Sequence, residues 1–264
     1  MNRAKPFLYT FLLFAVLNVI AEALGSEVLR LYTKPFLMPL LGVWFAQNTF
    51  YHTGKWRSYI LVAIVFSLIG DCILLATETS LIGGDDFLFI CGLLAFAVSH
   101  IFYGSFFGAQ RYQPGEGRSQ VGINQFLILI AYLLTAIVVL PLLREHQQID
   151  WSTTEMLAML GAMLTYALII LGVAYAIFRL REHLPAEQHK WLQIGIGLYL
   201  FSDALIAVGV LDLIEAKRLL RPVIMATYIA AQFLLVRGAG EIILKKVAAT
   251  DEPTPQNVPS DRPL

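Results

Sequence analysis

Long apolar segments with few charges recur along this chain, and they restrict what it can fold into. Each is close to the length of about 20 residues that a helix needs to cross a bilayer. Because lipid offers no hydrogen-bond partners, such a segment must satisfy its own backbone, as an α-helix does. Only 14% of the 264 residues are charged, against about 25% in soluble domains. We predict an all-α polytopic membrane protein with eight transmembrane helices, at residues 7–25, 32–49, 57–77, 87–108, 122–143, 154–179, 191–211 and 218–238.

The helices are predicted to form one transmembrane domain, residues 1–244, followed by a tail at residues 245–264. The tail reads KKVAATDEPTPQNVPSDRPL. Because it has too few apolar residues to build a core, we expect it to be disordered and cytoplasmic. The formal net charge is zero, so no basic surface indicates nucleic-acid binding. The sequence has no zinc-ligand spacing, Walker A loop or GxGxxG turn, and no cofactor or metal is predicted.

Basic residues predict the orientation, because Lys and Arg are enriched on the cytoplasmic side of membrane proteins. Placing the N-terminus in the cytoplasm puts most of the 19 Lys and Arg residues on that side. The opposite side then holds Arg30, Lys34, Arg144, Lys217, Arg218 and Arg221. With eight helices both termini lie inside, and we expect an integral protein of a bacterial inner membrane.

The two halves of the chain resemble each other at several positions. The spacing from Asp71 to His100 equals the spacing from Asp203 to Gln232. Alignment at the two acids sets IGDCILLA over FSDALIAV. Four predicted helices separate the equivalent positions, so the two halves would share one orientation. This pattern predicts a four-plus-four parallel internal repeat, an arrangement known in membrane proteins.

Two acidic residues stand inside apolar helices, Asp71 in FSLIGDCILL and Asp203 in GLYLFSDALIAV. A carboxylate at the bilayer centre costs about 2.5–3.5 kcal/mol on insertion scales, unless it faces a polar cavity. Both acids lie about 20 Å from the cytoplasmic ends of their helices, at 1.5 Å of rise per residue. Lys34 and Glu22 fall at a similar depth. The convergence indicates a functional site, with proton chemistry as the leading hypothesis.

Each of these residues also has a structural interpretation. Asp71 could form a helix-packing ion pair with Lys34, and Asp203 could be a hydrogen-bonded residue without chemistry. Lys34 could instead extend towards the interface, and Glu22 lies close enough to the boundary to be solvated. His100 is suited to proton relay near neutral pH, or it could donate to a helix carbonyl and take no part.

Several motifs occur in a fixed order along residues 7–240, and together they resemble a known family. They are Thr33-Lys34-Pro35-Phe36-Leu37-Met38-Pro39, Gly70-Asp71, His100-x-x-Tyr103, Phe201-Ser202-Asp203 and Tyr228-x-x-Ala231-Gln232. The pattern is similar to that of the YhhN-type lysoplasmalogenases, which are eight-helix membrane proteins. Animal members of that family hydrolyse the vinyl ether bond of lysoplasmalogens. The products are a fatty aldehyde and glycerophosphoethanolamine or glycerophosphocholine.

The resemblance implies that Asp71 and Asp203 are catalytic. We expect Asp71, with Lys34 nearby, to act as base and electrostatic stabiliser, and Asp203 to act as acid, although the roles could be reversed. Two carboxyls divide the work similarly in glycoside hydrolysis. The expected partners are a lysophospholipid substrate and membrane lipid, and the oligomeric state is left open. Substrate-binding candidates are Lys34, His100, Tyr103, Glu22, Tyr199 and Gln232.

Two other functions stay open at this point. Intramembrane acids, duplicated helices and a proline-broken second helix also occur in proton-coupled transporters. A lipid-binding or scaffold protein without catalysis is the third alternative. An enzyme would release aldehyde in detergent, whereas a carrier needs two compartments. A scaffold would keep its function after Asp71→Asn and Asp203→Asn.

Overall fold

The structure is a computed structural model that describes residues 3–51, 54–78, 86–110, 154–210 and 217–251. Within these ranges the regular structure is helical, which confirms the all-α prediction. A single 3-10 turn at Arg179–Glu182 follows the fifth described helix. The helices are α1 Lys5–Leu24, α2 Glu27–Asn48, α3 Lys55–Glu78, α4 Asp86–Ala109, α5 Thr154–Phe178, α6 Ala186–Val210 and α7 Lys217–Asp251.

Six of the described helices, α1 and α3 to α7, are long and apolar enough to cross a membrane. This supports the prediction of a polytopic membrane protein. The helix α2 falls short of that hydropathy because it carries Glu27, Arg30 and Lys34. The segment predicted as the fifth transmembrane helix, residues 122–143, lies outside the described residues. The last helix is longer than predicted and continues to Asp251.

The helix α7 lies at the centre of the described bundle. It packs along α6 and also contacts α1, α2 and α3. Other extensive contacts join α3 to α4, α1 to α2 and α4 to α5. Apolar side chains such as Tyr9, Leu13 and Val16 are exposed on α1, as expected for a surface that faces lipid. Polar side chains on the inner face of α7 therefore meet residues from several other helices.

The turn between α1 and α2 is tight because of two residues with special backbone roles. Gly25 adopts the left-handed conformation with φ of 65°, which costs glycine little. The backbone N–H groups of Gly25 and Ser26 donate to the carbonyls of Glu22 and Ala21. The Ser26 hydroxyl then accepts from the Leu29 N–H at 3.3 Å and caps α2. The turn thereby fixes the end of α1 against the start of α2.

The prolines of α2 do not break it, contrary to the expectation from sequence. Pro35 and Pro39 both lie inside a continuous helix. A proline within a helix leaves the carbonyl four residues earlier without its usual donor. In α2 these are the carbonyls of Leu31 and Pro35 itself. The helix thus keeps its direction while gaining carbonyl acceptors beside Lys34.

Close helix packing depends on glycine at Gly238, and this gives a stability prediction. A Cβ atom at Gly238 would lie 2.8 Å from Cγ of Leu192, which is fully buried and cannot easily move. Gly238→Val should lower the free energy of unfolding by about 1–3 kcal/mol through overpacking. Thermal unfolding in detergent measures the effect.

The matched control is Gly197→Val, since no atom of the described residues lies within 4 Å of a Cβ at that position. The two variants share the helix-propensity change, so the difference between them isolates the clash. Equal melting temperatures for the two proteins would contradict close packing of α6 on α7.

Candidate active site

Each of the two intramembrane carboxylates accepts a hydrogen bond from a tyrosine hydroxyl. Tyr228 on α7 donates to Oδ2 of Asp71 at 2.8 Å, and Asp71 is only 3% exposed. Tyr166 on α5 donates to Oδ2 of Asp203 at 2.6 Å. Asp203 is less deeply enclosed than Asp71. The two carboxyl groups therefore lie in different surroundings, which is what an acid and base pair requires.

Gln232 is the centre of the hydrogen-bond network around Asp71. The hydroxyl of Tyr103 donates to its Oε1 at 2.9 Å, which fixes the orientation of the amide. Its Nε2 then donates to Oγ of Ser67 at 2.9 Å and to the hydroxyl of Tyr199 at 3.1 Å. Gln232 is completely buried. One amide thus joins side chains from α3, α4 and α6 to α7.

Tyr199 connects the two carboxylates. Its hydroxyl accepts from Gln232, and it interacts electrostatically with both Asp71 and Asp203. Since the bond from Gln232 uses an oxygen lone pair, the Tyr199 proton stays available for donation. The structure therefore brings Asp71, Tyr103, Tyr199 and Gln232 together, with Asp203 in electrostatic range of the same group.

His100 lies in a cage of aromatic rings and has one nitrogen unoccupied. Its Nδ1 is 2.7 Å from the carbonyl oxygen of Phe96, so Nδ1 carries the proton and Nε2 is an acceptor. The ring meets Tyr199 edge-on at 4.5 Å between centroids, and Tyr166 at 5.5 Å. Among the described residues Nε2 has no hydrogen-bond partner, although it is buried. The predicted bond to a helix carbonyl is present, yet it leaves an acceptor for a bound molecule.

Glu22 and Lys34 are buried, which contradicts the two solvated interpretations. Each is 4% exposed, so Lys34 does not reach the interface and Glu22 is not in water. Glu22 lies 3.7 Å from Nη1 of Arg30. Lys34 interacts electrostatically with Cys72, the neighbour of Asp71 in sequence. Lys34 thus lies between the α1–α2 turn and the Asp71 side of the network.

Sequence reasoning missed Tyr166, Tyr228 and Ser67 as members of the site. Tyr228 stands one helical turn before Gln232, and Ser67 stands one turn before Asp71, so each shares a helix face with a predicted residue. That spacing is a signal that could have identified both. No comparable signal marks Tyr166, because only the packing of α5 against α4 and α6 brings it to Asp203.

The donors and acceptors of the site are carboxyl, phenol, amide and imidazole groups. Among the residues in the described ranges, no cluster of three or more His, Cys, Asp and Glu side chains could hold a metal ion. What this set can do is move protons and hold a polar molecule between two carboxyl groups.

Residues 29–239 match the model of the YhhN family. The chain belongs to the YhhN family. This YhhN protein is also 28% identical, over 186 residues, to the human protein Lysoplasmalogenase TMEM86A. That alignment covers 69% of the present chain and 65% of the human protein, so the chain spans about two thirds of this relative's length. No solved structure matches the chain significantly.

Proposed function

We propose that this YhhN protein hydrolyses the vinyl ether bond of lysoplasmalogens within the membrane. The products would be a fatty aldehyde and glycerophosphoethanolamine or glycerophosphocholine. The observation that carries the proposal is the pair of membrane-embedded carboxyls, Asp71 and Asp203, each held by a tyrosine hydroxyl. Family membership and the name of the human relative support the same reaction.

In the first step, the protonated carboxyl of Asp203 transfers its proton to the β-carbon of the vinyl ether. The electron pair of the double bond forms the new C–H bond, and the adjacent carbon becomes an oxocarbenium ion. Asp203 suits this role because its one printed hydrogen bond comes from Tyr166 and it lies apart from the amide network. A positioned acid of this kind typically contributes about 10²–10⁴-fold to a rate.

In the second step, the carboxylate of Asp71 stabilises the cation and takes a proton from the attacking water. The water oxygen bonds to the oxocarbenium carbon and forms a hemiacetal. The unoccupied Nε2 of His100 can accept the second hydrogen of that water. The hemiacetal then collapses, the bond to the glycerol oxygen breaks, and that oxygen receives the proton. Asp71 suits the ionised role because Tyr228 donates to it.

The remaining candidates are assigned to binding and positioning. The lipid tail stays in the bilayer, and the phosphate of the headgroup lies near Lys34, with Arg30 and Arg221 behind it. Tyr199 donates its free proton to a substrate oxygen. Tyr103 and Gln232 hold Tyr199 and the Asp71 side of the network in position. Glu22 belongs to the same binding region through its ion pair with Arg30.

Lys34→Met should raise KM by about 10-fold or more and change kcat much less, because a hydrogen bond to a charged group contributes about 1.5–3 kcal/mol. Initial rates of aldehyde release over a range of lysoplasmenylethanolamine concentrations measure both constants. Lys34→Arg retains the charge and should keep most of the affinity. An unchanged KM in Lys34→Met would remove Lys34 from substrate binding.

A proton-coupled transporter is the second candidate, and the buried acids favour it as well. Purified protein in detergent, given lysoplasmenylethanolamine, separates the two functions. Aldehyde release without any second compartment supports the enzyme. If the folded protein releases no aldehyde but carries a solute with protons into sealed vesicles, the transporter is correct.

We also propose the finer features of the fold: eight helices, a four-plus-four repeat, both termini in the cytoplasm and residence in a bacterial inner membrane. Support for the repeat comes from the network itself. Asp71 and Asp203 are 132 residues apart (203 minus 71), and so are Ser67 and Tyr199 (199 minus 67). Ser67 and Tyr199 both accept from Gln232. The domain of residues 1–244 and the tail of residues 245–264 remain predictions.

A further inference from the structure

A second buried polar cluster lies beside the turn between α1 and α2, and the hydrolytic steps do not use it. We define the turn cluster as Asn18, Glu22, Arg30 and Thr33. All four residues are at most 4% exposed. Nη1 of Arg30 lies 3.7 Å from Oε2 of Glu22, and Nδ2 of Asn18 donates to Oγ1 of Thr33 at 2.8 Å. Burying so many polar groups in one place is costly unless each finds a partner.

One acceptor in the turn cluster has no partner among the described residues: Oδ1 of Asn18. Its orientation is fixed by chemistry. The hydroxyl of Thr33 gives its single proton to the Leu29 carbonyl at 2.7 Å, so its oxygen can only accept from Asn18. Asn18 must therefore present its amide N–H to Thr33 and direct its carbonyl oxygen elsewhere. The residue is 0% exposed, so this oxygen is aimed into the protein and not into solvent.

The position of the turn cluster matches the level of lipid headgroups. Asn18 lies six residues before the end of α1 at Leu24, which is about 9 Å along the helix axis. The headgroup regions of a bilayer begin about 15 Å from its centre and extend several ångströms outwards. Lys34 follows Thr33 directly in α2 and extends the polar surface towards Cys72 and Asp71. The cluster therefore lies on a polar path from the membrane surface to the proposed reaction site.

The charges of the turn cluster fit a zwitterion. Arg30 and Lys34 supply two positive charges against the one carboxylate of Glu22, which leaves room for a phosphodiester. A primary ammonium carries three N–H donors and needs acceptors. Oδ1 of Asn18 and the carboxylate of Glu22, one helical turn apart on α1, are acceptors of that kind. A trimethylammonium has no N–H to give and is bound instead by aromatic cages.

We propose that the turn cluster is a headgroup subsite that selects phosphoethanolamine, with its primary ammonium bound by Asn18 Oδ1 and Glu22. The proposal rests on the proposed function for the identity of the lipid, and it adds which headgroup is preferred. The phosphate then lies beside Arg30 and Lys34, and the glycerol extends towards Asp71.

The test measures binding without turnover. Lysophosphatidylethanolamine and lysophosphatidylcholine have ester-linked chains and no vinyl ether, so neither can undergo the proposed reaction. Calorimetric titration of the detergent-solubilised protein should show tighter binding of the ethanolamine lipid by about 10-fold or more, the value of a hydrogen bond to a charged group. Asn18→Leu should remove most of that preference and leave the affinity for the choline lipid unchanged.

Two further variants separate recognition from folding. Asn18→Leu removes an unpartnered acceptor, so its melting temperature without ligand should equal or exceed that of the wild type. Glu22→Gln keeps the shape of the side chain and should also lose the ethanolamine preference. Glu241→Gln changes an exposed carboxylate in the same way and should keep it.

Equal affinity of the wild type for the two lipids overturns the proposal, as does a loss of both affinities together in Asn18→Leu and Glu22→Gln. Because binding is measured with lipids that are not hydrolysed, the outcome is independent of catalysis. Selective binding combined with no aldehyde release from lysoplasmenylethanolamine would reject the proposed reaction and retain the headgroup subsite.

Discussion

Asp71→Asn and Asp203→Asn are each expected to lower kcat for aldehyde release by about 10²–10⁴-fold, the contribution of a positioned acid or base. Asparagine keeps the shape of aspartate and can still accept the bond from Tyr228 or Tyr166. It cannot give up or take a proton near neutral pH, so only the proton transfer is removed. The measurement is the initial rate of fatty-aldehyde formation at saturating lysoplasmenylethanolamine.

The control for both variants is Glu241→Gln, an equivalent loss of charge at an exposed ion pair with Arg237. Its kcat should match that of the wild type. The two catalytic variants should also bind a non-hydrolysable lysolipid normally, because neither acid is assigned to headgroup binding. Full activity in Asp203→Asn would reject Asp203 as the acid, and full activity in Asp71→Asn would reject Asp71 as the base.

Gln232→Leu is expected to have the second largest effect, on stability as well as on activity. The change removes the bonds to Tyr103, Ser67 and Tyr199 and buries their hydroxyls against a leucine. At about 0.6–1.7 kcal/mol for each hydrogen bond in a membrane bundle, three lost bonds lower the free energy of unfolding by about 2–5 kcal/mol. Thermal unfolding in detergent and kcat at a temperature where the variant is folded measure the two effects.

The matched control is Gln47→Leu, since Gln47 is an exposed glutamine in α2. It should unfold at the wild-type temperature. If Gln232→Leu were as stable and as active as Gln47→Leu, the network around Gln232 would be dispensable and its proposed positioning role wrong.

The helices were predictable from sequence because hydropathy and length report directly on whether a segment can cross a bilayer. The start of α3 at Lys55 and the end of α4 at Ala109 lie within two residues of the predicted limits. The exact course of α2 was not predictable. Whether Pro35 and Pro39 break a helix depends on tertiary contacts that replace the lost hydrogen bonds, and in this chain the helix continues through both.

The site was predictable in depth but not in the direction of its side chains. A rise of 1.5 Å per residue places Asp71, Asp203, Lys34 and Glu22 at one level of the membrane. Rotation of each helix about its axis decides which residues meet, and packing sets that rotation. Glu22 accordingly pairs with Arg30 beside the α1–α2 turn, away from the carboxylates.

The tyrosines of the site illustrate the same limit. In sequence, Tyr166 and Tyr228 are two of many aromatic residues in apolar helices, and most such residues pack or face lipid. Each becomes distinctive only when its hydroxyl reaches a carboxylate, which depends on contacts far apart in the chain. A buried acid in a membrane helix predicts that some donor will face it, but not which one.

The most direct test of the proposed reaction is hydrolysis of lysoplasmenylethanolamine in D₂O by the purified protein, with the aldehyde trapped at once by reduction and analysed by mass spectrometry. Protonation of the β-carbon by an exchanged carboxyl predicts one deuterium at carbon 2 of the aldehyde from the wild type. It also predicts almost no aldehyde from Asp71→Asn or Asp203→Asn. A folded wild type that releases no aldehyde, or variants that release as much as the wild type, would contradict catalysis by these two carboxyls.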